Sequence, residues 1–267
     1  MAIVVYVDIH SHIIPGLDDG AGDYNEVMDI LRMASENGTY HIIATPHFIS
    51  ETTIIDQRFI HKKVGELQNL ANGEEFSISI HTGAEVFLSP DILELLDKGS
   101  ICTLNDSSYI LVELPMSGLP VYTNDILYEL QLKGLIPIIA HPERNGKINE
   151  NPDILLSMVK RGILAQVNAG SITGLFGREV RNTAMKLIRS GLIQFVASDA
   201  HTCRGRSPKL IKAEDIVKRK FGQEMADSLF YKNGMAVLKN ETIPITVRKE
   251  VDGFMRLFER RVKWHED

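Results

Sequence analysis

Cysteine is scarce in this chain: the 267 residues include two, Cys102 and Cys203. That excludes a disulfide framework and fits a reducing compartment, so the expected location is the cytoplasm. Long apolar runs are also missing. None approaches the roughly 20 residues that cross a bilayer, so no transmembrane segment is expected. The N-terminus lacks a basic segment followed by an apolar stretch and a cleavage site, so no secretory signal is expected either. There is no excess of positive charge. A formal net charge of −6 speaks against broad nucleic-acid binding, while leaving room for a local basic pocket. Low-complexity tracts and Pro/Ser/Gly-rich linkers are absent too, and 44% hydrophobic with 24% charged residues is ordinary for a soluble globule.

What is present is alternation. Apolar runs read as strands at Ile3–Val7, Ile42–Thr45, Ser77–Thr82, Tyr109–Glu113, Ile136–Ala140, Leu164–Asn168 and Ile193–Ser198. Helical spacing falls between them, at Tyr24–Asn37, Asp56–Ala71, Pro90–Asp97, Thr123–Lys133, Pro152–Arg161 and Arg178–Ser190. Strand and helix repeated in this order predict parallel strands joined by crossover helices. The stretch after about Ser207 reads as mostly helical. One domain is expected over residues 1–245, with a basic helical tail over 246–267 belonging to the same unit. In that tail Val251, Phe254, Met255, Phe258 and Val262 recur at helical spacing among Arg248, Lys249, Arg256, Arg260, Arg261 and Lys263. A docked terminal helix is the plain reading, and an arm for a membrane-associated partner or a second subunit the other.

The C-terminal ends of the strands carry the chemistry. In order they present Asp8, His10 and His12, then His47, Glu85, Glu113, His141, Asn168, and finally Asp199 and His201. An α/β barrel turns all such ends toward one rim, whereas an open sheet spreads them along an edge. The pattern therefore predicts a barrel of seven strands. His10 and His12 share one side of an extended segment and offer half a chelate. Carboxylates placed directly after buried runs are costly unless paired, hydrogen-bonded or metal-bound. Four to five histidines with three to four carboxylates suit Mn²⁺, Fe²⁺ or Zn²⁺ better than Mg²⁺ alone, and exceed the needs of one tetrahedral site. Two or three ions are implied. Such centres bind phosphate esters and generate hydroxide at neutral pH.

At these residues the chain resembles a known family. Asp8-Ile-His-Ser-His12, Ala44-Thr-Pro-His-Phe48, Gly83-Ala-Glu85, Ala140-His-Pro-Glu-Arg-Asn145 and Ala197-Ser-Asp-Ala-His201 are similar to the motifs of the polymerase-and-histidinol-phosphatase (PHP) superfamily. Pro15-Gly-Leu-Asp-Asp-Gly-Ala21, Tyr109-Ile-Leu-Val-Glu-Leu-Pro115 and Leu130-Gln-Leu-Lys-Gly-Leu-Ile-Pro137 resemble, within it, the bacterial capsule-type tyrosine phosphatases. The resemblance runs from about residue 6 to about residue 240 in the same motif order. It implies a distorted (β/α)7 TIM-like barrel and a trinuclear metal centre, with manganese the expected metal. The ligands carried over are His10, His12, Asp19, His47, Glu85, Glu113, His141, Asp199 and His201, with Arg144 and Arg206 on the phosphate. Asp18 stands beside Asp19, which is preferred for its place before Gly20. Asp8 is read as an acid that orients a histidine.

The implied activity is metal-dependent hydrolysis of phosphotyrosine in a protein. The expected substrate is a membrane-associated bacterial tyrosine autokinase controlling capsule or exopolysaccharide synthesis, and homo-oligomers are possible. A histidinol-phosphate-type phosphatase is the alternative, since its metal rim would be nearly the same. A PHP exonuclease and an interaction module with a degenerate site rank lower. Forked guanidinium contacts would hold phosphate oxygens in a way lysine reproduces poorly. A tyrosine leaving group has a pKa of about 10 and needs little acid assistance; His201 is the candidate acid if one exists. A cysteine mechanism requires Arg six residues after the nucleophile, but Ser108 and Lys209 occupy those positions after Cys102 and Cys203. His61 and His265 read as solvated, His41 and His81 as core or edge residues, and Asn168 as a residue shaping the rim.

Overall fold

The computed structural model describes residues 5–49 and 56–247. Nine strands are present among them: β1 Tyr6–Ser11, β2 Thr39–Ala44, β3 His47–Phe48, β4 Ser79–Thr82, β5 Glu85–Phe87, β6 Tyr109–Glu113, β7 Ile136–Ala140, β8 Leu164–Asn168 and β9 Phe195–Ala197. All ladders are parallel, in the orders β1-β2-β4 and β3-β5-β6-β7-β8-β9. The two sheets are one barrel interrupted twice. β2 and β3 are halves of one strand position, parted by Thr45-Pro46, and β4 and β5 are halves of the next, parted by Gly83-Ala84. β9 returns to β1 through an isolated bridge of Ser11 with Ala200, where His12 N donates to Ala200 O at 2.8 Å. Counting each broken strand once leaves the seven positions expected from the sequence.

Local chemistry explains the breaks. Pro46 has no N–H to give a ladder, while its carbonyl accepts from Glu85 N at 3.0 Å. A Cβ on Gly83 would lie 2.8 Å from Ile43 Cγ2, so the chain can pass there only as glycine. The interruptions turn His47 and Glu85 into the first residues of new short strands, register partners of each other.

Inside the barrel Val7, Ile9, Ile43, Tyr109, Leu111, Ile138, Leu164 and Phe195 form a continuous apolar core. Burying each such aliphatic side chain contributes about 1.5–3 kcal/mol. A second core lies between strands and outer helices. The helix Tyr24–Glu36 buries Val27, Ile30, Leu31 and Ala34, one face at helical spacing, and Asp23 caps it by accepting from Glu26 N. The helix Gln57–Ala71 repeats this with Ile60, Val64, Leu67 and Ala71 under an Asp56 cap. At the N-terminal mouth of the barrel the chain from Leu238 to Glu241 is stitched down. Asn105 Nδ2 donates to Leu238 O at 3.0 Å and Tyr109 Oη to Glu241 O at 2.6 Å.

Two sequence expectations need correction. The first strand is Tyr6–Ser11 rather than Ile3–Val7, because its pairing runs on into polar residues; Ile3 and Val4 lie outside the described residues. Short helices at Gly146–Glu150 and Ala169–Thr173 are additions, each too short to show a period. The expected terminal helix over Thr246–Lys263 lies outside the described residues after Val247, and so does His265.

Candidate metal centre

Strand ends deliver most of the candidate side chains. His10 lies in β1, His47 in β3, Glu85 in β5 and Glu113 at the end of β6; His12 and His141 follow β1 and β7 directly, and Asp19, Asp199 and His201 come from the loops after β1 and β9. His141 and Asp199 occupy left-handed backbone, with φ of 30° and 53°. Each such conformation costs about 1–3 kcal/mol in a non-glycine residue and is found where function requires it.

The structure brings all nine candidates together. His10 Nε2 and His12 Nε2 are 3.1 Å apart, and Glu85 Oε2 lies 3.2 and 3.3 Å from them. Asp199 Oδ1 stands 3.5 Å from both rings. His47 Nδ1 is 3.1 Å from Glu85 Oε2 and 3.7 Å from Glu113 Oε2. His141 Nε2 meets Glu85 Oε1 at 2.8 Å and Glu113 Oε1 at 3.8 Å. Asp19 Oδ1 lies 3.3 Å from His47 Nε2 and 3.1 Å from His201 Nε2. Three groupings have ligand atoms close enough to share an ion: His12 with Asp19, His47 and His201; His10 with His12 and Glu85; and His47 with Glu85 and Glu113.

The donors fit a cation. His10 Nδ1 faces Gln166 Oε1 at 3.0 Å and His12 Nδ1 faces Asp18 Oδ2 at 2.7 Å. Both partners are acceptors, so the Nδ1 atoms carry the protons of the neutral rings, and two Nε2 lone pairs point into one space. Only a proton or a metal reconciles them. His201 is set the same way, with Nδ1 donating to Asp199 O at 3.1 Å. Further, His47 Nδ1 and Glu85 Oε2, although 3.1 Å apart, are buried without an aligned hydrogen bond, a cost an ion would remove. Mixed imidazole and carboxylate donors of this number match first-row divalent ions.

Electrostatics follow from the crowding. Burial alone would lower the basicity of His10 and His12, but their neighbouring carboxylates outweigh it and raise both, His12 strongly. Burial would raise Glu85 and Asp199, but the surrounding imidazoles hold both well below the carboxylate range. Burial, with His12 and Arg206 adding to it, brings His201 down to about 4.

The two arginines converge on one acid. Arg206 Nη2 bonds Asp199 Oδ1 at 2.5 Å and Arg144 Nη1 approaches Asp199 Oδ2 at 3.5 Å. Asn168 Nδ2 donates to the same Oδ2 at 2.6 Å, so Asn168 anchors Asp199 from the rim it was expected to shape.

Several supporting residues escaped the sequence reading or were only half seen. Asp18 differs from its neighbour: it accepts from His12 Nδ1, from His47 N at 3.0 Å and from Gly20 N at 2.9 Å. Gln166, an amide within an apolar strand, gave no signal at all. Glu143 is buried and accepts from Asn168 N at 2.9 Å and Ser171 Oγ at 2.6 Å. Asp8, expected to orient a histidine, accepts instead from backbone, Ser198 N at 2.9 Å and His10 N at 3.4 Å, tying β1 to the end of β9. Both cysteines are free thiols, Cys102 buried and Cys203 half-buried. His61 is exposed, as expected, and pairs at the surface with Asp106 at 3.2 Å.

Comparison with known proteins agrees with this geometry. The chain is 36% identical over 237 residues to tyrosine-protein phosphatase YwqE of Bacillus subtilis (strain 168), covering 89% of this chain and 93% of that one. It is 38% identical to a putative tyrosine-protein phosphatase, CapC, of Staphylococcus aureus, covering 89% and 92%. Crystal structures of YwqE from B. subtilis and CpsB from Streptococcus pneumoniae, described as metal-dependent tyrosine phosphatases, include a chain that superposes with a TM-score of 0.87 at 36% identity, covering 90% of this chain and 97% of that one. Residues 6–239 match the model of the family described as capsular polysaccharide synthesis, CpsB/CapC, and the chain belongs to that family.

Proposed function

We propose that this chain is a metal-dependent protein-tyrosine phosphatase acting on a phosphotyrosine protein of capsule or exopolysaccharide synthesis. The observation that carries the reading is the convergence of five imidazoles and four carboxylates on one barrel rim, with two guanidinium groups at its edge. The names of its relatives support it. They also favour phosphotyrosine over histidinol phosphate as substrate.

His10, His12, Asp19, His47, Glu85, Glu113, His141, Asp199 and His201 would hold two or three ions, with Mn²⁺ our choice and Fe²⁺ or Zn²⁺ the substitutes. When bound, the metal supplies Lewis acidity toward phosphate oxygens and a nucleophilic water at neutral pH. The chain's residues do the remainder. Gln166 and Asp18 keep the His10 and His12 rings turned with Nε2 inward. Arg144 and Arg206, now on Asp199, are placed to take phosphate oxygens through charge-assisted hydrogen bonds. His201 serves better as a ligand than as an acid, since a ring with so low a pKa has no surplus proton at pH 7. A phenolate leaving group of pKa about 10 tolerates that. We assign the protein to the cytoplasm and a membrane-associated tyrosine kinase as its substrate; no helix among the described residues is long and apolar enough to cross a membrane.

The test is hydrolysis of phosphotyrosine peptide and histidinol phosphate after chelation and readdition of Mn²⁺, Fe²⁺, Zn²⁺ or Mg²⁺. Activity on the peptide that disappears with the metal and returns with Mn²⁺ is expected. Preference for histidinol phosphate, or activity indifferent to chelation, would refute the reading.

A further inference from the structure

Beside Arg206 lies an open pocket of about 100 Å³, walled by Gly170, Thr173, Leu175, Phe176, Arg206 and Lys209. Its position is set by the turn after β8. The short helix Ala169–Thr173 ends at Gly174, and the chain then lays Phe176 under Arg144, whose guanidinium carbon stands 4.6 Å from the ring centroid. Phe176 is thus at once a wall of the pocket and the platform of a cation aimed at the site. Leu175 beside it is 49% exposed and offers an apolar surface at the pocket's edge. Gly170 keeps the space open: a Cβ there would lie 3.1 Å from both the Phe176 ring and Leu175 Cδ2.

We propose that this pocket is the leaving-group subsite, in which the phenyl ring of the substrate packs against Phe176 and Leu175 while its phosphate is held at Arg144 and Arg206. The inference rests on the phosphatase reading above and adds the residues that select an aryl ester. Phe176 and Leu175 give the pocket one apolar wall for a ring, and Thr173, Ser198, Arg206, Ser207 and Lys209 make the rest polar. A dry apolar cavity of ~150 Å³ admits a benzene ring, and an open pocket of about two thirds that volume suits a ring entering edge-first with one end in solvent. Aromatic packing on Phe176 would favour aryl over alkyl phosphates, and the alkyl ester of phosphoserine would leave the pocket unfilled. The Arg206 side of the pocket places the ring next to a phosphate-holding cation, as an ester linkage requires.

The experiment compares inhibition of the metal-loaded enzyme by phenylphosphonate and methylphosphonate, with turnover of phosphotyrosine and phosphoserine peptides measured alongside. In the unmodified protein phenylphosphonate should bind more tightly. Phe176→Ala should reduce that preference roughly tenfold, a typical loss for one aromatic contact with its burial. Leu175→Ala, at an exposed position that leaves the Arg144 stack intact, should reduce it less but in the same direction, and decides the matter if Phe176→Ala does not fold. Gly170→Ala should act as Phe176→Ala does, by pressing on the ring. If Phe176→Ala weakens both phosphonates equally and Leu175→Ala changes neither, Phe176 only props Arg144 and the subsite is refuted. Should the unmodified enzyme hydrolyse phosphotyrosine but bind the two phosphonates equally, the subsite fails while the phosphatase reading stands. No hydrolysis of phosphotyrosine peptide at all would remove the reading and the subsite together.

Discussion

At the scale of single residues, function is divided between neighbours of the same type. Asp18 and Asp19 are adjacent carboxylates with opposite duties: Asp18 braces His12 and the His47 backbone, and Asp19 reaches out to His47, His201 and Arg206. Asp18→Asn should therefore weaken metal affinity and activity by roughly 10–100-fold, the usual cost of losing a ligand's orienting partner. Glu85→Gln should do more, since Glu85 lies against His10, His12, His47 and His141 at once. Metal analysis of the purified variant should show fewer ions per chain, with phosphatase activity falling at least ~100-fold as metal-assisted chemistry is lost. A Glu85→Gln protein with full metal content would contradict its placement. The thiols should be dispensable. Burial pushes Cys102 up to about 12 and raises Cys203 as well, so neither is a thiolate at pH 7. Alkylation should leave most activity intact.

Elements show why some of this was legible beforehand and some was not. Polar residues at the ends of apolar runs betrayed His47, Glu85, Glu113, His141, Asp199 and His201 without an alignment, because desolvation makes such placements costly unless a ligand repays them. The same rule misplaced the first strand. Asp8 and His10 look like a strand's end, yet bonds to Ser198 N and Gln166 satisfy them within the sheet, and pairing continues to Ser11. The expected strands stop at Thr45 and Thr82, whereas the strand positions resume beyond Pro46 and Gly83 in parallel partnership. Gln166 was invisible because nothing local separates a structural amide from one that sets a tautomer.

His41 Nδ1 lies 3.1 Å from His81 Nε2, and His81 Nδ1 3.0 Å from Asn105 Oδ1, a chain joining β2, β4 and the turn before β6. Burial holds both imidazoles below their ordinary pKa, so the unfolded chain binds protons more readily than the folded one. This contribution to stability is complete above about pH 6.5 and is lost as pH falls through the lower folded values. Replacing both histidines with Asn should shrink the drop in Tm between pH 7.5 and 5.5; an unchanged drop would contradict the assignment. Helix Asn233–Leu238 touches β1 through Gly234, where an added Cβ would sit 2.6 Å from Val7 Cβ. Gly234→Ala should cost about 1–3 kcal/mol in denaturant unfolding, the usual result of overpacking.

For the molecule as a whole, the barrel separates its tasks along the axis. One mouth is sealed by the Leu238–Glu241 stitching over Tyr109 and Asn105, and the other carries the charge. The candidate ligands come from β1, β3, β5 and β6 and from the loops after β1, β7 and β9, so ions binding there would clasp most of the circumference. Metal should then stabilise the fold by mass action: Tm should climb with added Mn²⁺ and fall after chelation, by amounts set by the ratio of free ion to its dissociation constant. A Tm insensitive to both would mean the rim closes without an ion.

The Asp19 side chain is 62% exposed, while Glu85 and Asp199 are essentially sealed at 1% and 0%. Ions held by these different carboxylates would not be equal in lifetime. An ion in the group that includes Asp19 would meet solvent at that carboxylate, whereas one between His10, His12 and Glu85 would be enclosed by buried side chains. The metal content of such a protein would then depend on how it was prepared, an ion beside Asp19 being the first lost to a chelator.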